Sequence, residues 1–531
     1  MNRFRILVAD RINGGGLAPL LDDERFEVIE RTGLTGEALA HALSDVDGVI
    51  VRSATRITRE SLARADRLKV IGRAGVGVDN IDLEAATERG IAVLNAPSGN
   101  TISAAELTFA LLLSLVRRVP AADRSMKRGE WDRRSFTGIE LYGKTLGLVG
   151  AGRIGGEVAK RAKGFGMRVV AYDPFLSEER ARALEIELAP LEEVLRRADV
   201  LSLHTPLTEA TANLIDAERL ALLKPGAFLV NAARGGVVDE AALVQALEEG
   251  RLAGAALDVY AEEPLPADHP LRRIEGVVLT PHLGAATEEA QYNVAAEIVE
   301  AVRAAFLEGD YSRAVNAPAI GGEEMRRLRP LLDLAERLGT LAFALSDGGT
   351  EVVEVRYAGS EDGALRPLAS ATLIGVLSGV LGRGAINFVN ARHLAVSRGI
   401  RVKEVRTGPH GDYAEYLEVC LRGAGEDVVV AGALLAEGFP RVVRIGPFHA
   451  DVVPRGSLVV LRNRDVPGVI GRVGTVLGDA GVNIAEYRQA RLEAGGEALA
   501  AITVDGRLNS ELVESLRRLP EVEDVRQVQL D

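Results

Sequence analysis

The chain has 531 residues, 47% of them hydrophobic and 26% charged, with a formal net charge of −13. Three or four domains of roughly 150 residues fit that length, and the composition is ordinary for a soluble globular protein. The negative balance argues against non-specific binding to nucleic acid or to anionic membranes.

The single cysteine, Cys420, excludes an intramolecular disulfide framework and, set in an alternating apolar run, reads as a core residue. The N-terminus passes straight into a strand with no signal peptide in evidence. The most apolar helical stretches, Leu107–Val116 and Ala369–Leu381, are too short and too interrupted to span a bilayer. A cytoplasmic enzyme or regulator is expected, with no metal, no nucleic acid and no membrane among its partners.

Residues 4–97 alternate short apolar runs (Arg5–Ala9, Phe26–Ile29, Gly48–Arg52, Lys69–Arg73, Ile91–Leu94) with helical stretches such as Gly36–Leu43 and Asp82–Arg89. That pattern predicts an open parallel α/β sheet, whose ligands sit beyond the carboxyl ends of its strands. Arg52-Ser53 and Arg73 stand at such ends, so two guanidinium groups face one crevice. Either alone reads better as a surface ion pair, and for both at strand ends that reading and an anion site stand even. Together they suit a carboxylate or phosphate, because the planar guanidinium donates two parallel hydrogen bonds. Asn100–Val116 reads as a helix too apolar for solvent, crossing between domains or packing on a partner subunit. Residues 120–144 are basic and irregular, with Lys127, Arg128, Arg133 and Arg134 flanking the only tryptophan, Trp131. The overall charge and the lack of further aromatics turn that arm away from nucleic acid.

Thr145–Asp173 organises the rest. Thr145–Gly150 reads as a buried strand, Gly150-Ala-Gly152-Arg153-Ile154-Gly155 as a glycine-rich turn, and Ile154, Val158, Ala159, Ala162 and Phe165 as one helix face. Arg168–Tyr172 then forms a second strand closed by Asp173. Strand, G-x-G-x-x-G turn, helix and strand ending in an acid make the dinucleotide-binding fingerprint. Gly150 allows the tight turn, Gly152 the approach of a pyrophosphate, and Gly155 close packing of helix on strand. Free N–H groups at the helix start favour the phosphates. Asp173 accepts from a ribose diol and repels a 2′-phosphate, and no Arg or Lys follows it, so NAD is expected over NADP. The shorter Gly75-Val-Gly77-Val-Asp-Asn80 lacks a third glycine.

Later strands end in polar residues: Asp199–Leu203 in His204-Thr205-Pro206, Ala227–Val230 in Asn231-Ala-Ala-Arg234, and Val277–Leu279 in Thr280-Pro-His282. Gly254–Val259, a strand expected to contain Asp258, leads to Glu263-Pro264. Hydride exchange with a nicotinamide asks the protein for an acid/base, a carboxylate to orient it and a fixed cation for the substrate. His282, Glu263 and Arg234 suit those roles in that order.

From about residue 48 to 320 the chain resembles the D-2-hydroxyacid dehydrogenases. The match rests on Gly-Arg-Ala-Gly-Val-Gly-Val-Asp-Asn (72–80), Asn-Ala-Ala-Arg-Gly-Gly-Val-Val-Asp-Glu (231–240), Ala-Leu-Asp-Val-Tyr-Ala-Glu-Glu-Pro (256–264) and Pro-His-Leu-Gly-Ala-Ala-Thr (281–287). The resemblance implies that Arg234, Glu263 and His282 are catalytic. It implies cofactor contacts at Gly150, Gly152, Arg153, Ile154, Gly155, Asp173, Thr205, Ala232, Ala233, Arg234, Asp258, His282, Leu283, Gly284 and Ala285. Val76 stands where several relatives have threonine. The implied architecture is a Rossmann-type NAD-binding domain (99–286) inserted in a flavodoxin-like α/β substrate-binding domain (1–98 and 287–318).

After Asn316-Ala-Pro318 the pattern changes. Residues 319–453 carry an amphipathic helix expected at Pro330–Leu345, a strand at Thr350–Ala358 and the small-residue run Ala369–Leu381, an α+β intervening domain of allosteric type. Residues 455–531 read β-α-β-β-α-β, a ferredoxin-like order, with Asp465 expected as the N-cap of a helix through Leu477. This last segment resembles the ACT regulatory domains, and Asp465 and Asn483 match effector positions there. The whole chain thus resembles the long-form phosphoglycerate dehydrogenase branch of the family. That implies NAD-dependent oxidation of 3-phospho-D-glycerate at the head of L-serine synthesis, with L-serine as an effector. It implies substrate contacts at Arg52, Ser53, Arg73, Asn100 and Gln291. Arg133 and Arg134 would reach a neighbouring subunit's site in a homodimer or homotetramer. The alternatives are a glyoxylate or hydroxypyruvate reductase, and a non-enzymatic NAD-sensing protein on the same fold.

Overall fold

The computed structural model describes residues 3–530 apart from 412, 424, 436 and 437. The first sheet runs, in spatial order, Phe26–Glu30, Phe4–Val8, Gly48–Val51, Val70–Arg73 and Ala92–Asn95, all parallel. One face is covered by the helices Gly14–Leu21 and Glu288–Glu308, which bring Leu17, Leu20, Ile298 and Val302 onto Ile6, Val8 and Ile50. The other takes Leu39, Leu43, Leu62 and Ala86 from shorter helices. Covering both faces explains why these strands read as continuous apolar runs rather than alternating ones.

Thr101–Val116 crosses to the second sheet, where Leu111, Leu112 and Leu115 pack beside Leu146, Leu148 and Val230. That sheet is seven-stranded and parallel: Val277–Leu279, Leu252–Leu257, Ala227–Asn231, Val200–Leu203, Thr145–Val149, Arg168–Tyr172 and Glu187–Leu188. Strand order reverses between Thr145–Val149 and Val200–Leu203, the place where such sheets leave a crevice for a ligand. Asp258 lies just past its strand, which ends at Leu257. The helix Glu288–Glu308 then returns the chain to the first sheet.

The third unit is a six-stranded mixed sheet under two long helices, Gly322–Leu345 and Leu365–Leu381. The first of these begins well before Pro330 and carries that proline inside it. The two helices cross where neither has a side chain: a β-carbon at Gly375 would lie 2.0 Å from the Glu336 carbonyl, and one at Gly339 2.2 Å from that of Thr372. This unit docks on the first sheet's domain through Asn387, whose amide donates to the Gly90 carbonyl at 2.8 Å.

The last unit is antiparallel, ordered Ile484–Arg491, Glu497–Val504, Gly456–Arg464 and Val522–Leu530. Val459, Leu461, Ala500 and Ile502 face its own helices, Val469–Asp479 and Ser510–Arg517. Leu458, Val460, Leu499, Ala501 and Val528 face the other way, into the core of the third unit. Asp465 does not cap the first of these helices. Gly468, at φ 93°, holds that position, and the Asp465 carboxylate turns instead to Arg491 Nη1 at 3.0 Å. Among the described residues no helix is long and apolar enough to cross a membrane. None of them forms a cluster of three or more His, Cys, Asp or Glu fit to hold a metal.

Candidate active site

The carboxyl ends of the two parallel sheets face each other across a cleft that holds a cavity of about 1190 Å³. From the first domain it is lined by Arg52, Ser53, Arg73 and the loop 74–80, and from the second by Arg153, Ile154, Thr205, Arg234, Glu263 and His282. Asn100 and Gln291, on the two helices that cross between domains, complete it.

His282 owes its position to a buried acid. Asp258 has no exposed surface. Its Oδ1 accepts from the Thr280 hydroxyl at 2.6 Å and the Leu283 N–H at 2.7 Å, and its Oδ2 from the Gly284 N–H at 2.9 Å. Its carbonyl takes the His282 N–H at 2.9 Å. Wound around one carboxylate, the loop holds His282 at φ 57°, a backbone region uncommon outside glycine. Burial pushes the Asp258 carboxyl above its ordinary pKa in spite of these donors. His282 Nδ1 then meets Glu263 Oε2 at 2.8 Å, while Glu263 Oε1 accepts the Tyr260 N–H at 3.1 Å. A carboxylate at Nδ1 assigns the ring proton there and leaves Nε2 able to accept a proton. Partial burial of Glu263 works to raise its pKa, but the hydrogen bond and charge of His282, the Tyr260 N–H and Arg234 outweigh it. The carboxyl is left below its ordinary range.

Arg234 follows the strand Ala227–Asn231, and buried Asn231 shapes the turn by accepting from Ala233 N at 3.1 Å and donating to the Arg234 carbonyl at 2.9 Å. The guanidinium donates through Nη1 to the Ala233 carbonyl at 2.6 Å and through Nε to Asp79 Oδ2, on the opposite domain, at 3.1 Å. Arg73 lies alongside. Burial first, then the neighbouring Arg234 charge, bring its pKa down to about 10, which still leaves it cationic at neutral pH. The Arg52 main chain is fixed from two sides, its N–H on Asp10 at 2.5 Å and its carbonyl on the Asn80 amide at 2.7 Å.

The glycine turn has the shape a dinucleotide requires. Gly150 sits at φ 91°, and a β-carbon there would lie 2.6 Å from the His204 carbonyl. One at Gly155 would lie 2.2 Å from the Gly150 carbonyl, so helix and strand touch backbone to backbone. At Gly152 a β-carbon would meet nothing within 4 Å, which is open space beside the first N–H groups of the helix Arg153–Gly164. Asp173 is held by the N–H groups of Ala151 at 2.8 Å and Phe175 at 2.9 Å, with lone pairs left for a ribose. Arg153 reaches back to the Ser98 hydroxyl, and Ala232, Ala233, Gly284 and Ala285 line the cavity; Leu283 is partly exposed. Among the described residues Thr205 Oγ1 and Asn100 Oδ1 are sealed and find no hydrogen-bond partner. These features fit NAD.

Other expected site residues stand apart. Arg133 and Arg134 are exposed and outside the cavity lining. In the last domain Asp465 pairs with Arg491, and Asn483 donates to Asp505 Oδ2 at 2.8 Å. The Asp258 side chain serves the 280–284 loop and does not line the cavity. Sequence reasoning gave no role to Asp79 or His204. Its only signal for Asp79 was the quoted Gly-Val-Gly-Val-Asp-Asn motif, and for His204 its place at a strand end.

Residues 109–284 match the D-isomer specific 2-hydroxyacid dehydrogenase NAD binding domain, 327–446 the D-3-phosphoglycerate dehydrogenase intervening domain, and 457–521 the ACT domain. D-3-phosphoglycerate dehydrogenase of Methanocaldococcus jannaschii is 42% identical over 529 residues, covering 99% of this chain and 100% of its own. The chain belongs to the D-3-phosphoglycerate dehydrogenases. The Bacillus subtilis member is 41% identical over 532 residues, with 99% and 100% covered. Among solved structures, a Thermus thermophilus protein covers 59% of this chain and 100% of its own, at 43% identity and a TM-score of 0.54. An Aquifex aeolicus D-lactate dehydrogenase solved with NAD and lactic acid covers the same shares at 31% identity and a TM-score of 0.53. As in the family, an NAD-dependent D-2-hydroxyacid dehydrogenase is followed here by an intervening and an ACT domain.

Proposed function

We propose that the cleft oxidises 3-phospho-D-glycerate to 3-phosphohydroxypyruvate, the first committed step of L-serine synthesis. The observation that carries this reading is the convergence of His282, Glu263 and Arg234 from one domain with Arg52 and Arg73 from the other on a single cavity. NAD, when bound, supplies the hydride acceptor; the turn 150–155, Asp173 and Thr205 would hold it. His282 Nε2 takes the proton of the substrate hydroxyl, and ionised Glu263 stabilises the imidazolium so formed. Arg234 holds the carboxylate and polarises the developing keto oxygen. Arg52 and Arg73, with Ser53, Asn100 and Gln291, take the remaining anionic and hydroxyl groups. Purified protein given NAD with 3-phosphoglycerate or glycerate, and NADH with glyoxylate, tests the assignment by the change in absorbance of the reduced cofactor. Preferred turnover of glycerate or glyoxylate replaces phosphoglycerate as substrate.

The finer features belong to the same proposal. Asp465 and Asn483 bind L-serine in the ACT domain and slow the enzyme. Arg133 and Arg134 extend into a neighbouring subunit's cleft in a homodimer or homotetramer. Asp465→Ala should weaken inhibition by serine and leave unregulated turnover intact. Loss of turnover with no change in the serine response would refute that assignment.

A further inference from the structure

Arg234 reaches across the cleft through a notch. A β-carbon at Gly77 would lie 2.0 Å from Arg234 Nη2 and 2.6 Å from Asp79 Oδ2, so the guanidinium rests directly over the glycine backbone. Its Nε donates to Asp79 at 3.1 Å and its Nη1 to its own domain at 2.6 Å, which fixes the plane of the guanidinium. The loop that carries Asp79 is itself tied down. Asn80 donates to the carbonyls of Arg52 at 2.7 Å and Thr55 at 2.6 Å, and Asn95 donates to the Val76 carbonyl at 2.8 Å. Asp79 and the backbone of Arg52 therefore share one scaffold. Of the acidic residues lining the cavity among the described residues, Glu263 is committed to His282 and Asp79 to Arg234.

We propose that Asp79 is a positioning residue: by gripping Nε of Arg234 across the domain cleft, it sets the anion-binding edge of that arginine in register with Arg52. The proposal rests on the dehydrogenase reading above and adds to it the contact across the cleft that aligns the substrate-holding arginine. Asp79 bears on the substrate through Arg234. Because the Asp79 side chain is 60% exposed, the pair contributes little to stability. Its importance lies in geometry rather than in the strength of the contact, since small misplacement of a substrate-holding group costs rate steeply.

The test compares Asp79→Ala, Asp79→Asn and Gly77→Ala with the parent, on whichever 2-hydroxyacid the parent oxidises best. A parent that oxidises none refutes the dehydrogenase reading; a parent that does, with indifferent variants, refutes only this proposal. Asp79→Ala should lower kcat about fivefold or more and raise KM for the hydroxyacid, with the dissociation constant for NADH within twofold. Asp79→Asn, which keeps an oxygen for the Nε proton, should recover at least half of the lost kcat. Gly77→Ala, which places a methyl where the guanidinium lies, should reproduce the loss with NADH binding intact. Asp79→Ala or Gly77→Ala with kcat and KM within twofold of the parent would overturn the proposal. Failure of Asp79→Asn to rescue would overturn it as well, because charge and not grip would then be what matters.

Discussion

Replacing Glu263 by glutamine tests the proton-transfer half of the site with little change in shape. The amide oxygen still accepts from His282 Nδ1, so ring orientation survives while the negative charge is lost. Two unit charges about 4 Å apart interact by roughly 1 kcal/mol in water and about 4 kcal/mol at an effective dielectric of 20. In the open cleft the His282 and Glu263 side chains are 47% and 37% exposed, which places the contact toward the lower figure. Substrate and cofactor filling the cleft would cover both and raise the contribution to about 2 kcal/mol, a loss of roughly 30-fold in kcat. The assay is initial NAD reduction at saturating 3-phosphoglycerate from pH 6 to 9. Glu263 is held below its ordinary carboxylate range, so it stays ionised throughout the assay and the parent profile carries no inflection from it. The Glu263→Gln profile should therefore be lower throughout. Turnover within twofold of the parent would remove the imidazolium–carboxylate pair from the mechanism.

His282→Ala should cut kcat by at least about a hundredfold, the scale for losing a general base, with NADH binding retained in a fluorescence titration. Gly155→Ala should abolish or severely weaken NADH binding, because its methyl would meet the Gly150 carbonyl at 2.2 Å; a dissociation constant near the parent's would contradict the backbone contact. Burial brings the pKa of His204 down to about 4 from 6.5, so below pH 6.5 the unfolded chain takes up a proton that the folded one refuses. Stability should fall as pH drops from 6.5 toward 4, by up to about 3 kcal/mol, and His204→Asn should flatten that dependence in melts monitored by circular dichroism. An equal pH slope in both proteins would exclude His204 as the source.

The parts of this molecule legible in the sequence are those where one local requirement dictates residue type. Strands covered on both faces must be apolar throughout, and Thr145–Val149 and Val200–Leu203 are fully buried. A helix start that must approach a strand backbone shows its glycines at Gly150 and Gly155. Asp465 misled for a reason of the same kind. An acid two residues before a proline suits a helix cap, but Gly468 in a left-handed conformation delays the helix to Val469 and frees the carboxylate for Arg491. What sequence could not convey was pairing between domains. Asp79 and Arg234 are 155 residues apart, and neither carries a local signature of the other. The second buried face of the last sheet is similar, since its apolar residues read as ordinary strand alternation until the helix Gly322–Leu345 is seen to cover them.

The cleft also resolves an apparent conflict between a chain of net charge −13 and a substrate that is itself anionic. Arg52, Arg73, Arg153, Arg234 and Arg272 line the cavity, and among the described residues the acidic side chains there are Asp79 and Glu263. Each of those two acids is engaged with a partner, Arg234 or His282, so neither is a free charge opposing the ligand. A local excess of guanidinium groups between low-dielectric walls focuses a positive potential where an anion must enter, whatever the sign of the distant surface. The same crowding explains why an acid is needed among the arginines. The charge of Arg234 lowers the pKa of buried Arg73 while Asp79 opposes that effect, so the acid that registers Arg234 also moderates repulsion between the cations that await the substrate.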